Sequence, residues 1–270
     1  MDKKQVLVLF GGASSEHEVS RRSATCIIEN IPKENYEVLT MGITRTGEWF
    51  LYTGDISKIS GGEWENDTDN KKSAFISPDS SIGGIVVLNN GNYEIIKIDC
   101  VIPVLHGKNG EDGTVQGLFA LAKIPFVGCD LLSSASCMDK ITTNIMLSAA
   151  GIKKAKFAFI YTYEFEKNED AYLDYIEKAI GNYPMFVKPS NAGSSVGVSK
   201  VENREALIKA IETAAKEDFR ILIEECIVGQ EVECAVVGNY QPIASIIGEI
   251  APSNEFYDYE AKYVSDSGLY

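Results

Sequence analysis

The sequence predicts an α/β fold: an amino-terminal domain on an open parallel sheet, followed by smaller units that mix strands and helices. Three observations carry this. The runs Gln5 to Phe10 and Asp99 to Leu105 are short and apolar, as strands buried on both faces are. Each ends in a glycine-rich turn, Gly11-Gly12 and His106-Gly107, and ligands of open α/β sheets sit beyond the carboxyl ends of the strands. Past Gly128, strand-like runs alternate with helical periodicity.

The elements follow in order. Gln5 to Phe10 is a strand that turns through Gly11 to Ser15 into a helix. Ser15 and Glu18 have capping-box spacing, and Val19, Cys26 and Ile27 share one side of that helix. Residues 44–97 are polar, glycine-rich and hairpin-like, with turns at Gly83-Gly84 and Asn89-Asn90-Gly91, and read as an elaboration of the first domain rather than its core. After a boundary near Gly128, Ser133 to Ala150 reads as one helix closed by Gly151. Phe157 to Tyr163 is a strand, Tyr172 to Ile180 a helix, Met185 to Lys188 a strand and Asn203 to Lys216 a helix. Arg220 to Glu225 and Glu231 to Val237 are strands, the second alternating Val232, Cys234 and Val236 with Glu231, Glu233 and Ala235.

Composition narrows the partners. A chain of 270 residues with a net charge of −14 is large enough for two domains or three small ones. It lacks the excess of Lys and Arg that binds nucleic acid or anionic membrane, so an anionic ligand must be held by local donors and a metal ion. The amino-terminal apolar run is too short for a signal-peptide core or a membrane span, which points to the cytosol. Six cysteines, none in a C-x-x-C pair, read as reduced and mostly buried thiols. With two histidines, His17 and His106, an oxygen-liganded ion such as magnesium suits the chain better than a transition metal.

The chemistry centres on Phe186-Val187-Lys188-Pro189-Ser190-Asn191-Ala192-Gly193-Ser194-Ser195-Val196-Gly197-Val198. An apolar strand, one lysine and a loop of small residues form a grip for nucleotide phosphates, because glycines admit an anion to backbone N–H groups and serines donate to its oxygens. Such a loop is otherwise a flexible turn. Neither a Walker loop nor a Gly-x-Gly-x-x-Gly motif occurs.

Five blocks in order, Gly11-Gly12-x-Ser14-x-Glu16-x-Glu18-Val19-Ser20, His106-Gly107-x-x-Gly110-Glu111-Asp112-Gly113-x-x-Gln116-Gly117, Met138-Asp139-Lys140, Lys188-Pro189-Ser190-x-x-Gly193-Ser194-Ser195-x-Gly197 and Tyr257-Asp258-Tyr259-Glu260-Ala261-Lys262-Tyr263, resemble the D-alanine:D-alanine ligases of the ATP-grasp superfamily. The resemblance implies an amino-terminal substrate-binding domain over residues 1–128, a central ATP-grasp domain over 129–223 and a carboxyl-terminal one beginning at 224, cut short at 270. Lys140 and Lys188 match the lysines that neutralise the phosphates of ATP, and Ser194 and Ser195 the loop over them. Glu224, Glu225, Ile227 and Glu231 match the adenosine pocket; Glu225 stands where relatives often carry lysine, and its contact is largely a backbone one. On their residues alone, Glu224 and Glu231 are equally a solvated strand end and an edge-strand charge.

For the amino acid, Glu16 matches the carboxylate that pairs with the ammonium of the first D-alanine, with Ser194 and Tyr263 in the same hydrogen-bonded set. His106 matches a histidine beside the reaction centre, although a histidine before glycine at a strand end is also an ordinary turn residue. Lys262 and Tyr263 belong to an Ω-loop that closes over the site. The implied reaction converts the first D-alanine to an acyl phosphate, which the amine of a second attacks, in the service of peptidoglycan precursor synthesis. The magnesium or manganese ligands belong to the family's carboxyl-terminal third, which the residues do not include, so residues 1–270 alone are expected to be inactive. A homodimer is implied. A ligase for D-serine or D-lactate, and a nucleotide-binding module without catalysis, stay open beside the D-alanine reading.

Overall fold

The computed structural model describes residues 3–250. The chain divides into two compact units, the first ending at Thr143 and the second starting at Asn144.

The first unit contains β1 (Lys4–Gly11), α1 (His17–Asn30), β2 (Tyr36–Ile43), β3 (Trp49–Tyr52), α2 (Ser57–Gly61), β4 (Lys71–Ile76), β5 (Gly84–Asn89), β6 (Asn92–Lys97), β7 (Cys100–Pro103), α3 (Thr114–Ala122), α4 (Leu131–Met138) and the start of α5 (Lys140–Ala149). Its strands form one sheet in the order β6-β5-β4-β3-β2-β1-β7. The β2-β1-β7 end is parallel, β1 pairing with β2 and β7. From β2 outward every pairing is antiparallel. Val6 to Phe10 of β1 are buried. Their side chains alternate between two cores, Leu7 and Leu9 packing with Val115 and Phe119 of α3, and Val8 and Phe10 with Ala24 and Ile28 of α1.

Four expectations change here. Residues 44–97 are core: Leu51, Ala74, Ile76, Ile85 and Val87 join the α3-side cluster, and Trp64 lies fully buried against Phe10 with ring centroids 5.0 Å apart. Their polar composition reflects antiparallel strands with one solvated face. The buried face of α1 is His17, Ser20, Arg21, Ala24 and Ile28, while Cys26 is exposed, because this helix spends its first turns on polar contacts. The capping box does not form: the helix starts at His17 without a side-chain cap, and Glu18 pairs with Arg45. Finally, Ser133 to Ala150 is two helices, broken at the extended Asp139, whose carboxylate accepts the Thr142 N–H at 2.7 Å and so starts α5.

The second unit carries β8 (Phe157–Tyr161), α6 (Thr162–Phe165), α7 (Glu169–Ile180), β9 (Met185–Pro189), β10 (Ser199–Val201), α8 (Arg204–Ala214) and β11 (Arg220–Glu225). The strands form an antiparallel sheet in the order β10-β9-β11-β8. One face packs on α7 and α8 through Met185, Val187, Ile221 and Ile223. By alternation, Phe186, Lys188, Leu222 and Glu224 point to the other face. Asn168 and Asn203 cap α7 and α8 by accepting the N–H of Ala171 and Ala206. Arg204 ties the helices together, its guanidinium 2.8 Å from both Asp174 and Glu177.

The strand predicted over Glu231 to Val237 is split into β12 (Val232–Glu233) and β13 (Val236–Val237), paired with β15 (Gly248–Glu249) and β14 (Ile243–Ala244). Ser245 takes the place of a regular rung: its hydroxyl accepts the Ala235 N–H at 3.0 Å. β8 likewise ends two residues early, where α6 begins. All six cysteines are free, but none is buried: four are exposed and two half-buried, because they fall in loops and on the outer sides of elements.

Gly42 of β2 lies so close to Trp64 and Phe10 that an added Cβ would overlap both rings. Gly42→Ala is therefore expected to lower the stability of the chain by about 1–3 kcal/mol, read as a fall in denaturant midpoint at unchanged slope, with an unchanged midpoint as the contrary result.

Candidate functional site

In the first unit, the carboxyl ends of β1 and β7 bring two glycine loops together. Gly11 and Gly12 have φ of 85° and 101°, a region that favours glycine, and let the chain leave β1 sharply. The Gly11 N–H donates to Ser20 Oγ at 2.7 Å, and that hydroxyl donates to the Val104 carbonyl. Ser14 Oγ accepts the Glu16 N–H at 3.3 Å and donates to the His106 carbonyl at 2.9 Å. Glu16 is 4% exposed, and its carboxylate lies against Gly107, whose missing Cβ makes the space. The Gly107 N–H donates to Glu111 Oε2 at 2.7 Å, and Glu111 Oε1 stands 4.0 Å from His106 Nδ1. Glu16 and His106 are thus placed in one constellation, with Glu111 and Ser14 as supports.

His17, 1% exposed, accompanies them. Its Nδ1 is 2.8 Å from the Gly12 carbonyl, and its Nε2 lies 3.1 Å from Glu65 Oε1 without the alignment of a hydrogen bond. On the α3 side of the glycine turn, Gly12, Ile43, Trp49, Leu105, His106, Val115 and neighbouring residues line a cavity of about 270 Å³. Lys140, the first residue of α5, is half-buried.

In the second unit, Lys188 of β9 and Glu224 of β11 sit diagonally on the sheet face away from the helices, Lys188 opposite Leu222 and Glu224 opposite Phe186. Lys188 Nζ is 2.7 Å from Glu224 Oε2, and Asn144 Nδ2 of α5 donates to Glu224 Oε1 at 3.1 Å. Lys154 lies 3.7 Å over the Phe157 ring. Burial lowers its ammonium pKa, and the nearby Glu224 charge opposes that shift. The partner that a half-buried Lys188 requires is therefore Glu224.

The loop after β9 turns tightly. Ser194, Ser195 and Gly197 have φ of 48°, 60° and 70°, and two consecutive non-glycine residues in this region store backbone strain of the kind that collects at ligand sites. The loop is anchored by the Ser190 N–H on the Arg220 carbonyl at 2.9 Å and the Asn191 N–H on Asp218 Oδ2 at 2.8 Å. At the end of β11, the N–H groups of Glu225 and Cys226 donate to the carbonyls of Lys156 and Pro184, and Glu225 Oε1 accepts the Lys156 N–H at 2.7 Å. Ile227 and Glu231 follow as exposed residues.

Glu16 and Ser194 belong to different units, and Lys262 and Tyr263 lie outside the described residues. Sequence reasoning passed over Asn144 and Lys154, and quoted Glu111 within a motif without giving it a role. The signal for Asn144 was its position one helical turn after Lys140, on the same face of α5. Among the described residues, no group of three or more His, Cys, Asp or Glu stands where it could hold a metal ion, and no helix is long and apolar enough to cross a membrane.

Two family profiles cover the chain, D-ala D-ala ligase N-terminus over residues 5–129 and D-ala D-ala ligase C-terminus over residues 146–270. The chain belongs to the D-alanine–D-alanine ligase family. The D-alanine–D-alanine ligase of Thermoanaerobacter pseudethanolicus is 50% identical over 265 residues, covering 97% of this chain and 72% of that protein. That of Ruminiclostridium cellulolyticum is 50% identical over 275 residues, covering 99% and 73%. Among solved structures, the VanG D-Ala:D-Ser ligase from Enterococcus faecalis superposes with a TM-score of 0.86 at 44% identity, covering 98% of this chain and 74% of that one. The ligase from Coxiella burnetii gives 0.82 at 31% identity, covering 92% and 71%. This ligase chain therefore has the ATP-grasp fold that its sequence motifs imply.

At Gly107, φ is +70° and a Cβ would run into the Glu16 carboxylate. Gly107→Ala in the ligase is expected to cost about 1–2 kcal/mol from the backbone conformation alone, seen as a lower thermal midpoint. A midpoint equal to that of the unaltered chain would mean that the two loops are not held against each other.

Proposed function

We propose that the chain carries the ATP- and first-substrate-binding parts of an enzyme that joins two D-alanine molecules into D-alanyl-D-alanine at the expense of ATP, for peptidoglycan precursors. The observation that carries this is the sheet face of the second unit, where a half-buried lysine, Lys188, stands at the start of a strained Gly-Ser loop. The domain limits 1–128, 129–223 and 224–270 accompany this reading, as do a cytoplasmic location and a homodimer.

In this mechanism Lys188 and Lys140 offset phosphate charge. The N–H groups of the 193–197 loop and the hydroxyls of Ser194 and Ser195 donate to phosphate oxygens. Beyond Glu225 and Cys226, whose N–H groups are already bonded, the Ile227 amide is the first one open to an adenine edge, and Glu231 would accept from the ribose. Glu16 holds the ammonium of the first D-alanine, which leaves its carboxylate to attack the γ-phosphorus of ATP. The products of that step are an acyl phosphate and ADP. The amine of the second D-alanine attacks the acyl carbon, phosphate leaves, and the amine loses a proton as the peptide bond forms. Such phosphoryl transfer needs positioning and charge neutralisation more than covalent help. The described residues offer no metal cluster, so no step here is assigned to the divalent ion that the family uses. Tyr263 and Lys262 would complete the closed site.

A second reading, a D-alanine:D-serine ligase, is favoured by the 44% identity to the VanG ligase, and D-lactate is the further alternative. Phosphate release from ATP with D-alanine, D-serine and D-lactate as second substrates, measured on the intact ligase, separates them: turnover with D-alanine alone supports the first.

Two substitutions test the roles. Lys188→Ala is expected to weaken ATP binding by about 10- to 150-fold, the worth of one charge-assisted contact, whereas Lys200→Ala leaves it nearly unchanged; equal effects in a calorimetric titration would remove Lys188 from the phosphate site. Glu16→Gln keeps the side chain's shape and is expected to raise the KM for the first amino acid at nearly constant ATP affinity. If ATP affinity falls instead, Glu16 serves the fold and not the substrate.

A further inference from the structure

Lys188 is a flexible cation whose use at the phosphates depends on where its ammonium is held, and the structure shows what holds it. Its partner, Glu224, has its two carboxylate oxygens engaged by different elements: Oε2 by Lys188 Nζ at 2.7 Å and Oε1 by Asn144 Nδ2 at 3.1 Å. Asn144 is buried, 8% exposed, on a helix rather than a loop. An amide buried at that depth is costly unless its hydrogen bonds are made, and here its donor goes to the one carboxylate on this face that also binds the lysine. Without that donor Glu224 is free to change rotamer, and Lys188 either follows it or turns toward solvent. Lys154, which feels the Glu224 charge from the Phe157 side, would compete for the released carboxylate.

We propose that Asn144 is a positioning residue of the nucleotide site: by donating to Glu224 Oε1 it keeps Oε2 on Lys188, and so sets the ammonium that meets the phosphates. This rests on the ATP-binding reading above. Asn144 itself touches no phosphate. Its effect on ATP passes through Glu224 and Lys188, and for that reason it must disappear once Lys188 has no charge to place.

The test is ATP affinity of the full chain by calorimetric titration, in a double-mutant cycle of Asn144→Leu and Lys188→Met, with Asn144→Asp as a second variant. Asn144→Leu is expected to weaken ATP binding about tenfold, the worth of a hydrogen bond to a charged group, with no further loss when added to Lys188→Met. Asn144→Asp keeps the shape but sets a carboxylate against Glu224, so at neutral pH it is expected to weaken binding at least as much as Asn144→Leu. Additive losses in the cycle, or ATP binding unchanged in both Asn144 variants, would overturn the proposal. Should the unaltered chain bind no ATP, the functional reading itself fails, an outcome distinct from either. Circular dichroism and the thermal midpoint identify a variant that has not folded, and in that event Asn144→Asp, the isosteric change, decides the matter.

Discussion

Burial of β1 on both faces is the constraint from which the first unit follows. A strand with neighbours on each edge and helices above and below has no polar surface, so its residues from Val6 to Phe10 are apolar and its N–H and C=O groups are spent on β2 and β7. Polar chemistry is displaced to the end of the strand. There the chain turns through two glycines, and the groups freed by the turn are taken up by Ser20, the end of β2 and the His106 loop: the Gly12 N–H donates to the Ile43 carbonyl at 2.9 Å, and Ser14 bridges to His106. The same geometry that ends the sheet thus gathers Glu16, His106 and Glu111.

The second unit solves a different problem. Its antiparallel sheet has helices on one face only, and the other is lined by Phe186, Leu222 and Phe157 around a lysine and a glutamate. A cation and a carboxylate on a half-apolar face stabilise each other, where either alone would carry the desolvation cost of an unpaired charge. The pair lies diagonally across neighbouring strands, so its spacing is set by register, and β9 to β11 register is in turn set by which side chains face α7 and α8.

Much of this was legible in the residues. Apolar runs identified β1, β9 and β11, and Asn89-Asn90-Gly91 marked the β5 to β6 hairpin, where Asn90 and Gly91 have positive φ, whereas α7 starts at Glu169, three residues before the expected Tyr172. The five motif blocks pointed to the family, and two of them contain Glu16 and Lys188; Glu224, outside the blocks, was matched to an adenosine pocket and not to Lys188. Where pattern failed, a local rule yielded to a distant contact. Glu18 had the spacing of a capping box, yet its carboxylate is drawn to Arg45, and Ser14 rather than Ser15 meets the helix start. Residues 44–97 looked peripheral because half of each antiparallel strand faces solvent, while the other half, with Trp64, closes the core.

The sequence by itself determined those elements whose signals are local, β1, β7, β9, α8 and β11 among them, because a run of valine and leucine or a glycine turn acts within a few residues of itself. It also determined the family, since ordered motifs survive without knowledge of their contacts. Tertiary structure alone decided that Asn144 and Lys188, 44 positions apart, meet on one carboxylate of Glu224, and that Gly107 is small because Glu16 lies on it. Such pairings depend on strand register and on how a helix is set against a sheet, quantities summed over the whole packed core and carried by no single stretch of chain.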